Sequence, residues 1–171
     1  NAQSRTFEDE FRTHTIPYRI VGGTGFYQRK EIKDVIAYFR LVVNPDDEQA
    51  LRRIINYPAR GIGATTLDKI GQCANDNHVS LWTVISDPDH YGLSVNRGVQ
   101  GKLQMFVQLI EGFRNDEDEC DASRLGDTVI RQSGIYDELC RDTDVEAVSR
   151  QENINELRNS LAEFVENRRE E

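Results

Sequence analysis

Apolar residues recur at three- and four-residue spacings through most of this chain, a periodicity that leaves little room for a sheet. Between residues 29 and 43, Ile32, Val35, Ile36, Phe39, Val42 and Val43 share one helical face, with Lys30, Lys33, Asp34 and Arg40 outside it. The break Asn44-Pro45 precedes a second helix, capped by Asp46 or Asp47 and buried through Ala50, Leu51, Ile54 and Ile55. A third starts at Thr65 or Thr66, buries Leu67, Ile70 and Cys73 or Ala74, and ends at a loop, Asn75-Asp76-Asn77. Ser80 caps a short helix holding Leu81, Trp82, Val84 and Ile85, and residues 86–97 connect irregularly. Val99, Leu103, Phe106, Ile110 and Phe113 mark a longer helix that ends at the acidic run Asp116-Glu117-Asp118-Glu119 with Asp121, a solvated loop. Ser123 caps a helix reaching Ile130, Ser133-Gly134 breaks it, and Tyr136 to Arg141 adds a turn. Val145, Val148, Ile154, Leu157, Leu161, Phe164 and Val165 describe a long C-terminal helix with a frayed tail.

Strand composition is confined to Tyr18-Arg19-Ile20-Val21. A short helix over 3–14, with Phe7 and Phe11 on one face, precedes it and ends at Ile16-Pro17. The glycine cluster Gly22-Gly23-Thr24-Gly25 follows. One strand forms no sheet alone. The expected fold is mainly α: a multi-helical unit over 45–171, joined to a short α/β remnant over 1–44 whose other strands lie elsewhere. No initiator Met opens the chain, and it is expected to be a piece of a longer protein.

Hydrophobic residues make up 37% of the 171 and charged residues 30%, and no apolar run approaches the ~18 residues of a membrane span. Neither a membrane partner nor a secretory leader is expected. Cys73, Cys120 and Cys140 are odd in number and lie far apart, which disfavours a disulfide framework and a zinc site alike. Each is expected as a small hydrophobe on or near a helix face in a reducing cytoplasm. His14, His78 and His90 share no metal-ligand spacing and read as surface residues. No carboxylate pair sits in an apolar context suited to acid–base work.

The net charge of −9 is unevenly spread. Residues 1–44 carry seven basic and five acidic groups, net +2, and the remainder is net −11. Within that acidic part, Arg52, Arg53, Arg60 and Lys69 face only Asp68 over residues 50–72, net +3. Local charge governs contacts within a screening length of ~10 Å.

No G-x-x-x-x-G-K-[ST] loop is present, and the Gly22 cluster lacks the third glycine of G-x-G-x-x-G, since Gln28 stands there. The basic island contains a different device, Pro58-Ala59-Arg60-Gly61-Ile62-Gly63-Ala64-Thr65-Thr66-Leu67. Glycines at 61 and 63 let the backbone turn tightly, through positive φ where needed, and Ile62 can tuck between the flanking helices. The N–H groups of Gly63, Ala64, Thr65 and Thr66 then face outward at a helix N-terminus, where an anion binds readily. That is the logic of a helix-hairpin-helix gripping a phosphate backbone without reading bases. A glycine-rich corner with capping threonines has the same residue pattern.

Residues 1–70 decide between them by resemblance. The spaced run PYRIVGG…F…RKEIKD…NP.D..AL.RIIN.P.RGIG resembles superfamily 1 DNA helicases of the UvrD/PcrA/Rep type. The similarity thins to Leu81-Trp82 and Glu152-Asn153-Ile154-Asn155-Glu156-Leu157 further on. It implies the edge of the second motor domain (2A) over 1–44 and its inserted helical subdomain (2B) over 45–171. NAQSR resembles the tail of motif IV, and YRIVGG through RKEIKD resembles motif IVa, facing the translocating single strand. By the same resemblance Gly61, Ile62, Gly63, Thr65 and Thr66, with Arg60 before them, hold duplex phosphates ahead of the fork. Gly22, Gly23 and Phe26 shape the loop near single-stranded DNA, and Arg29, Lys30 and Glu31 open the helix behind it. Gly25 and Gln28 depart from the basic and acidic residues common at those places, which weakens any phosphate contact from that loop.

The resemblance implies a bacterial ATP-dependent 3′–5′ DNA helicase of repair or replication, with ATP and Mg held by segments outside this chain. No catalytic residue, cofactor or metal is expected within residues 1–171. The expected partners are duplex and single-stranded DNA. A rival reading is an acidic helical module that docks a protein or autoinhibits the motor. Another is part of a recombination helicase–nuclease.

Overall fold

The stripe of apolar residues between 29 and 43 becomes the hub of the molecule. A computed structural model describes residues 24–117 and 122–170, and among them all regular structure is helical. The elements are α1 (Thr24–Tyr27), α2 (Lys30–Val43), α3 (Glu48–Ile54), α4 (Ala64–Asn77), α5 (Leu81–Ser86), α6 (Arg97–Glu117), α7 (Ala122–Gln132), α8 (Ile135–Cys140) and α9 (Val145–Glu170). The expected helix over 3–14, the strand at Tyr18–Val21, Gly22, Gly23, Cys120 and residues 118–121 lie outside the described residues.

Ile32, Val35, Phe39 and Val42 are buried, and α2 packs against α1, α3, α6, α7 and α9. Leu103, Phe106, Ile110 and Phe113 of α6 line the same core, as do Leu125 and Val129 of α7 and Ile154, Leu157 and Leu161 of α9. Burying a side chain of this size contributes about 1.5–3 kcal/mol. The helix α4 is more peripheral and packs mainly on α5, which rests in turn on α3 and α6. At the end of α2, Arg114 Nη1 donates to the Val42 carbonyl at 2.7 Å, satisfying one of the acceptors a helix C-terminus leaves open. No helix among the described residues is long and apolar enough to cross a membrane.

Local capping follows the sequence where the cap is a side chain next to its own helix. Asp47 Oδ1 accepts from Ala50 N at 3.1 Å, and Ser80 Oγ accepts from Thr83 N at 3.1 Å. Gly134, at φ 88°, makes the expected break between α7 and α8.

Four local expectations are corrected. Asn75-Asp76-Asn77 is the last turn of α4 rather than a loop, because its polar side chains bond back along the helix: Asn77 Nδ2 to the Cys73 carbonyl and Gln72 Nε2 to Asp76 Oδ1, both at 2.8 Å. The chain leaves the helix at His78, in the left-handed region at φ 55°. Ser123 sits inside α7, which already includes Ala122. The helix α4 starts at Ala64, so neither Thr65 nor Thr66 is its cap. Cys140 is exposed at the end of α8, whereas Cys73 is half-buried and bonds through its thiol to the Tyr91 carbonyl at 3.2 Å.

Candidate nucleic-acid interface

The turn between α3 and α4 is held from beneath by three side chains. Ile62 is fully buried and joins the core. Asn56 Oδ1 accepts from the amides of Arg60 at 2.7 Å and Ile62 at 3.1 Å, which fixes the backbone around the isoleucine. Arg60 folds back under the turn. Its Nη1 donates to the carbonyls of Ile54 at 2.7 Å and Tyr57 at 3.1 Å, satisfying acceptors at the C-terminal end of α3. Its Nη2 reaches the Tyr38 hydroxyl on α2 and, at 3.4 Å, the Ser133 carbonyl between α7 and α8. The guanidinium also lies 5.2 Å from the Phe106 ring centroid. Tyr38 donates in turn to the Tyr57 carbonyl at 2.6 Å. Burial pushes the Tyr38 hydroxyl above its ordinary value of 10.0, and the neighbouring Arg60 opposes that only in part.

The two glycines differ. Gly61 has φ 76°, a conformation that an L side chain adopts only with strain. A Cβ there would also meet Lys102 Nζ at 2.5 Å, so the Lys102 side chain of α6 lies against the turn. Gly63 has φ −83° and ψ −177°, ordinary extended backbone, and a Cβ there would meet nothing within 4 Å. Gly63 is the N-cap of α4 and offers no side-chain acceptor to the first turn, which contains no acidic residue. Gly63, Ala64 and Thr65 are exposed and Thr66 is half-buried. A helix start leaves its first N–H groups without intrahelical partners. The open side of the turn therefore presents backbone donors and a positive dipole end to solvent. Arg52 extends the basic character along α4, its Nη2 lying 3.1 Å from where a Gly71 Cβ would stand.

The UvrD-like helicase C-terminal domain model matches residues 1–171. The chain belongs to that family. It is 38% identical over 167 residues to the ATP-dependent DNA helicase PcrA of Staphylococcus epidermidis and 36% identical over 167 residues to that of Staphylococcus aureus. Each match covers 98% of this chain and 23% of the relative, so the chain spans about a quarter of the length of the curated relatives it matches.

Within this UvrD-like domain the residues singled out in the sequence fall into two groups. Arg60, Gly61, Ile62, Gly63, Thr65 and Thr66 share one turn. Phe26 stands instead in α1, and Arg29 at the N-cap of α2. The Phe26 ring is buried edge-on to Tyr27, with centroids 5.0 Å apart. Arg29 precedes α2, lies over the Phe26 ring at 5.9 Å and bonds through Nη1 to Asn153 Oδ1 of α9. Gly22 and Gly23 lie outside the described residues.

The sequence reading placed Asp34 on the outer face of α2 and found no carboxylate in an apolar setting. Asp34 is instead 2% exposed, with Lys30 Nζ on one oxygen and Arg53 Nε on the other, each at 2.8 Å. The same Lys30 ammonium lies 4.0 Å from the Tyr57 ring centroid. Glu31 is likewise buried and accepts from Asn153 Nδ2 at 2.7 Å. These charges can be buried because each has a charged or amide partner. Sequence reasoning also passed over Asn56 and Lys102. An Asn two residues before Pro58, at the entry to a glycine turn, is a recognisable local acceptor. Lys102 carries no such signal, because it reaches Gly61 from a helix 41 residues away.

Proposed function

We propose that this domain grips duplex DNA ahead of the fork in an ATP-dependent 3′–5′ DNA helicase, through the backbone amides at the start of α4. The observation that carries the reading is the contrast across the turn. Its inner side is pinned by Arg60, Asn56 and Ile62, and its outer side at Gly63 is open backbone at an uncapped helix N-terminus. Donors already fixed in place lose little conformational freedom when a phosphate arrives. Such contacts read no bases, and the binding is sequence-independent and salt-sensitive. Arg60 serves this surface from below, as the residue that sets the turn. ATP and Mg belong to the parent protein's other segments, and swivelling of the helical subdomain relative to the motor regulates unwinding.

Gly63→Val tests the reading cleanly, because its backbone is extended and its Cβ position is empty. Fluorescence anisotropy with a labelled duplex is expected to show a clear loss of affinity for the variant, while its stability falls only by the roughly 1 kcal/mol that an apolar N-cap costs. Equal duplex affinity in parent and variant would remove the hairpin from the mechanism.

A further inference from the structure

A cleft of about 380 Å³ opens between the end of α5 and α6, and none of the hairpin residues line it. Its chemistry is the opposite of the hairpin's. Asp87 and Asp89, just after α5, line it, and no cation does. From α6 it takes the amides of Gln100, Gln104 and Gln108, and Pro88 and Val107 supply apolar surface.

Most of these polar groups are unused by the fold. Gln104 and Gln108 are exposed, and their side chains make no hydrogen bond among the described residues. The Asp87 carboxylate has no ion pair or hydrogen bond there either. Gln100 Nε2 donates to Asp89 Oδ1 at 3.0 Å, which ties the row of amides to the acidic end and leaves Asp89 further acceptor sites. Two carboxylates with no cation beside them repel a phosphate, so the cleft does not suit a nucleic acid. No group of three metal-ligating side chains occurs among the described residues, so it does not suit a metal ion either.

Spacing selects the ligand. Glutamines four residues apart on one helix stand about 6 Å apart along its axis. Each offers one carbonyl and one amide nitrogen, the complement of a peptide group. An extended chain repeats its peptide groups on one side every two residues, at about 6.4–6.8 Å. The row from Gln100 to Gln108 covers about 12 Å, the length of about four extended residues. A helical ligand offers such a row nothing, because its backbone groups are bonded internally. Met105 is 71% exposed and lies three residues before Gln108, hence beside it on the helix surface, where its flexible side chain adds apolar contact. We propose that this cleft docks an extended, basic segment of a partner protein. A lysine or arginine of that segment sits on Asp87 and Asp89, its peptide groups bond to Gln104 and Gln108, and an apolar side chain packs on Pro88 and Val107. The site is independent of the hairpin reading.

The test uses the whole 171-residue chain and fluorescence anisotropy with a labelled heptapeptide of alternating valine and lysine, a sequence that favours the extended state. Binding is expected for this probe and not for its counterpart with glutamate in place of lysine. Methylating the backbone nitrogens of the probe's valines, which removes its amide donors, is expected to weaken binding on the order of tenfold. Gln104→Ala with Gln108→Ala is expected to cost about as much, and Asp87→Asn with Asp89→Asn about fivefold. Glu163→Gln with Glu166→Gln, which removes the same charge from exposed positions on α9, is the control and should leave the affinity at the parent value. The proposal is overturned if the control weakens binding as much as the Asp87 and Asp89 pair, which marks a general attraction of a basic peptide to an acidic chain. It is overturned equally if the glutamate peptide binds as well as the lysine peptide, or if both backbone methylation and the glutamine variant leave the affinity unchanged.

Discussion

Arg60 illustrates how a charge in a DNA-binding family can be committed to the fold. Its planar fork satisfies several carbonyls at once, at Ile54, Tyr57 and Ser133, and reaches the Tyr38 hydroxyl. An ammonium group offers three donors from one point and cannot reproduce that spread. Arg60→Lys is therefore expected to destabilise the domain by about 1–3 kcal/mol, the cost of leaving buried acceptors unpaired. A urea titration checks it, and an unchanged midpoint would show that the fork is dispensable. The residue type and its basic surroundings were legible in the sequence. Its role was not, because Tyr38 and Ser133 lie 22 and 73 residues away. The same contact predicts alkaline behaviour. Burial holds Tyr38 and Tyr57 above their ordinary value of 10.0, so folding favours the protonated hydroxyls. Their contribution is complete below about pH 10 and is lost as pH rises through the folded-state values above it. Melting temperature should fall steeply from about pH 10 upward. Tyr38→Phe, less stable at neutral pH, should show a shallower fall.

At the scale of elements, the hairpin divides its labour between two glycines that look equivalent in the sequence. Gly61 needs its positive φ, and Gly63 does not. Gly61→Ala is expected to cost about 1–2 kcal/mol from the left-handed backbone, with displacement of the Lys102 side chain added. Gly63→Ala should cost less, roughly 0.5–1 kcal/mol, because alanine is a poorer N-cap than glycine but meets no strain in φ or space. Denaturant midpoints of the two variants, measured side by side, decide whether φ or space governs the turn. Most of the element order was readable, because apolar periodicity and side-chain caps are local signals; Asp47 and Ser80 fall where they should. The end of α4 was misread because composition alone marks Asn75-Asp76-Asn77 as loop, whereas Ala74 is buried and the helix closes only at His78, whose N–H returns to the Ala74 and Asn75 carbonyls. Periodicity also reports which positions face inward only for apolar residues. It gave no warning that Asp34 is buried between Lys30 and Arg53.

Across the whole molecule, the two ends of the described chain meet at a buried polar contact. Asn153 on α9 accepts from Arg29 and donates to Glu31 at the start of α2, bridging 124 and 122 residues of sequence. Such a pairing is invisible to local reading, even though Glu152 to Leu157 carries part of the family resemblance. A buried carboxylate that loses its donor keeps the cost of leaving water without the compensating bond. Asn153→Leu is therefore expected to cost about 1–3 kcal/mol, more than an exposed polar-to-apolar change on the same helix. Glu31→Gln, which removes the charge, should cost much less on the Asn153→Leu background than in the parent. A double-mutant cycle by urea denaturation reads the coupling directly, with about 1 kcal/mol or more expected for side chains in contact. Strict additivity would mean that α9 is held to α2 by its apolar face alone, through Ile154, Leu157 and Leu161, with the polar bridge contributing nothing to the union.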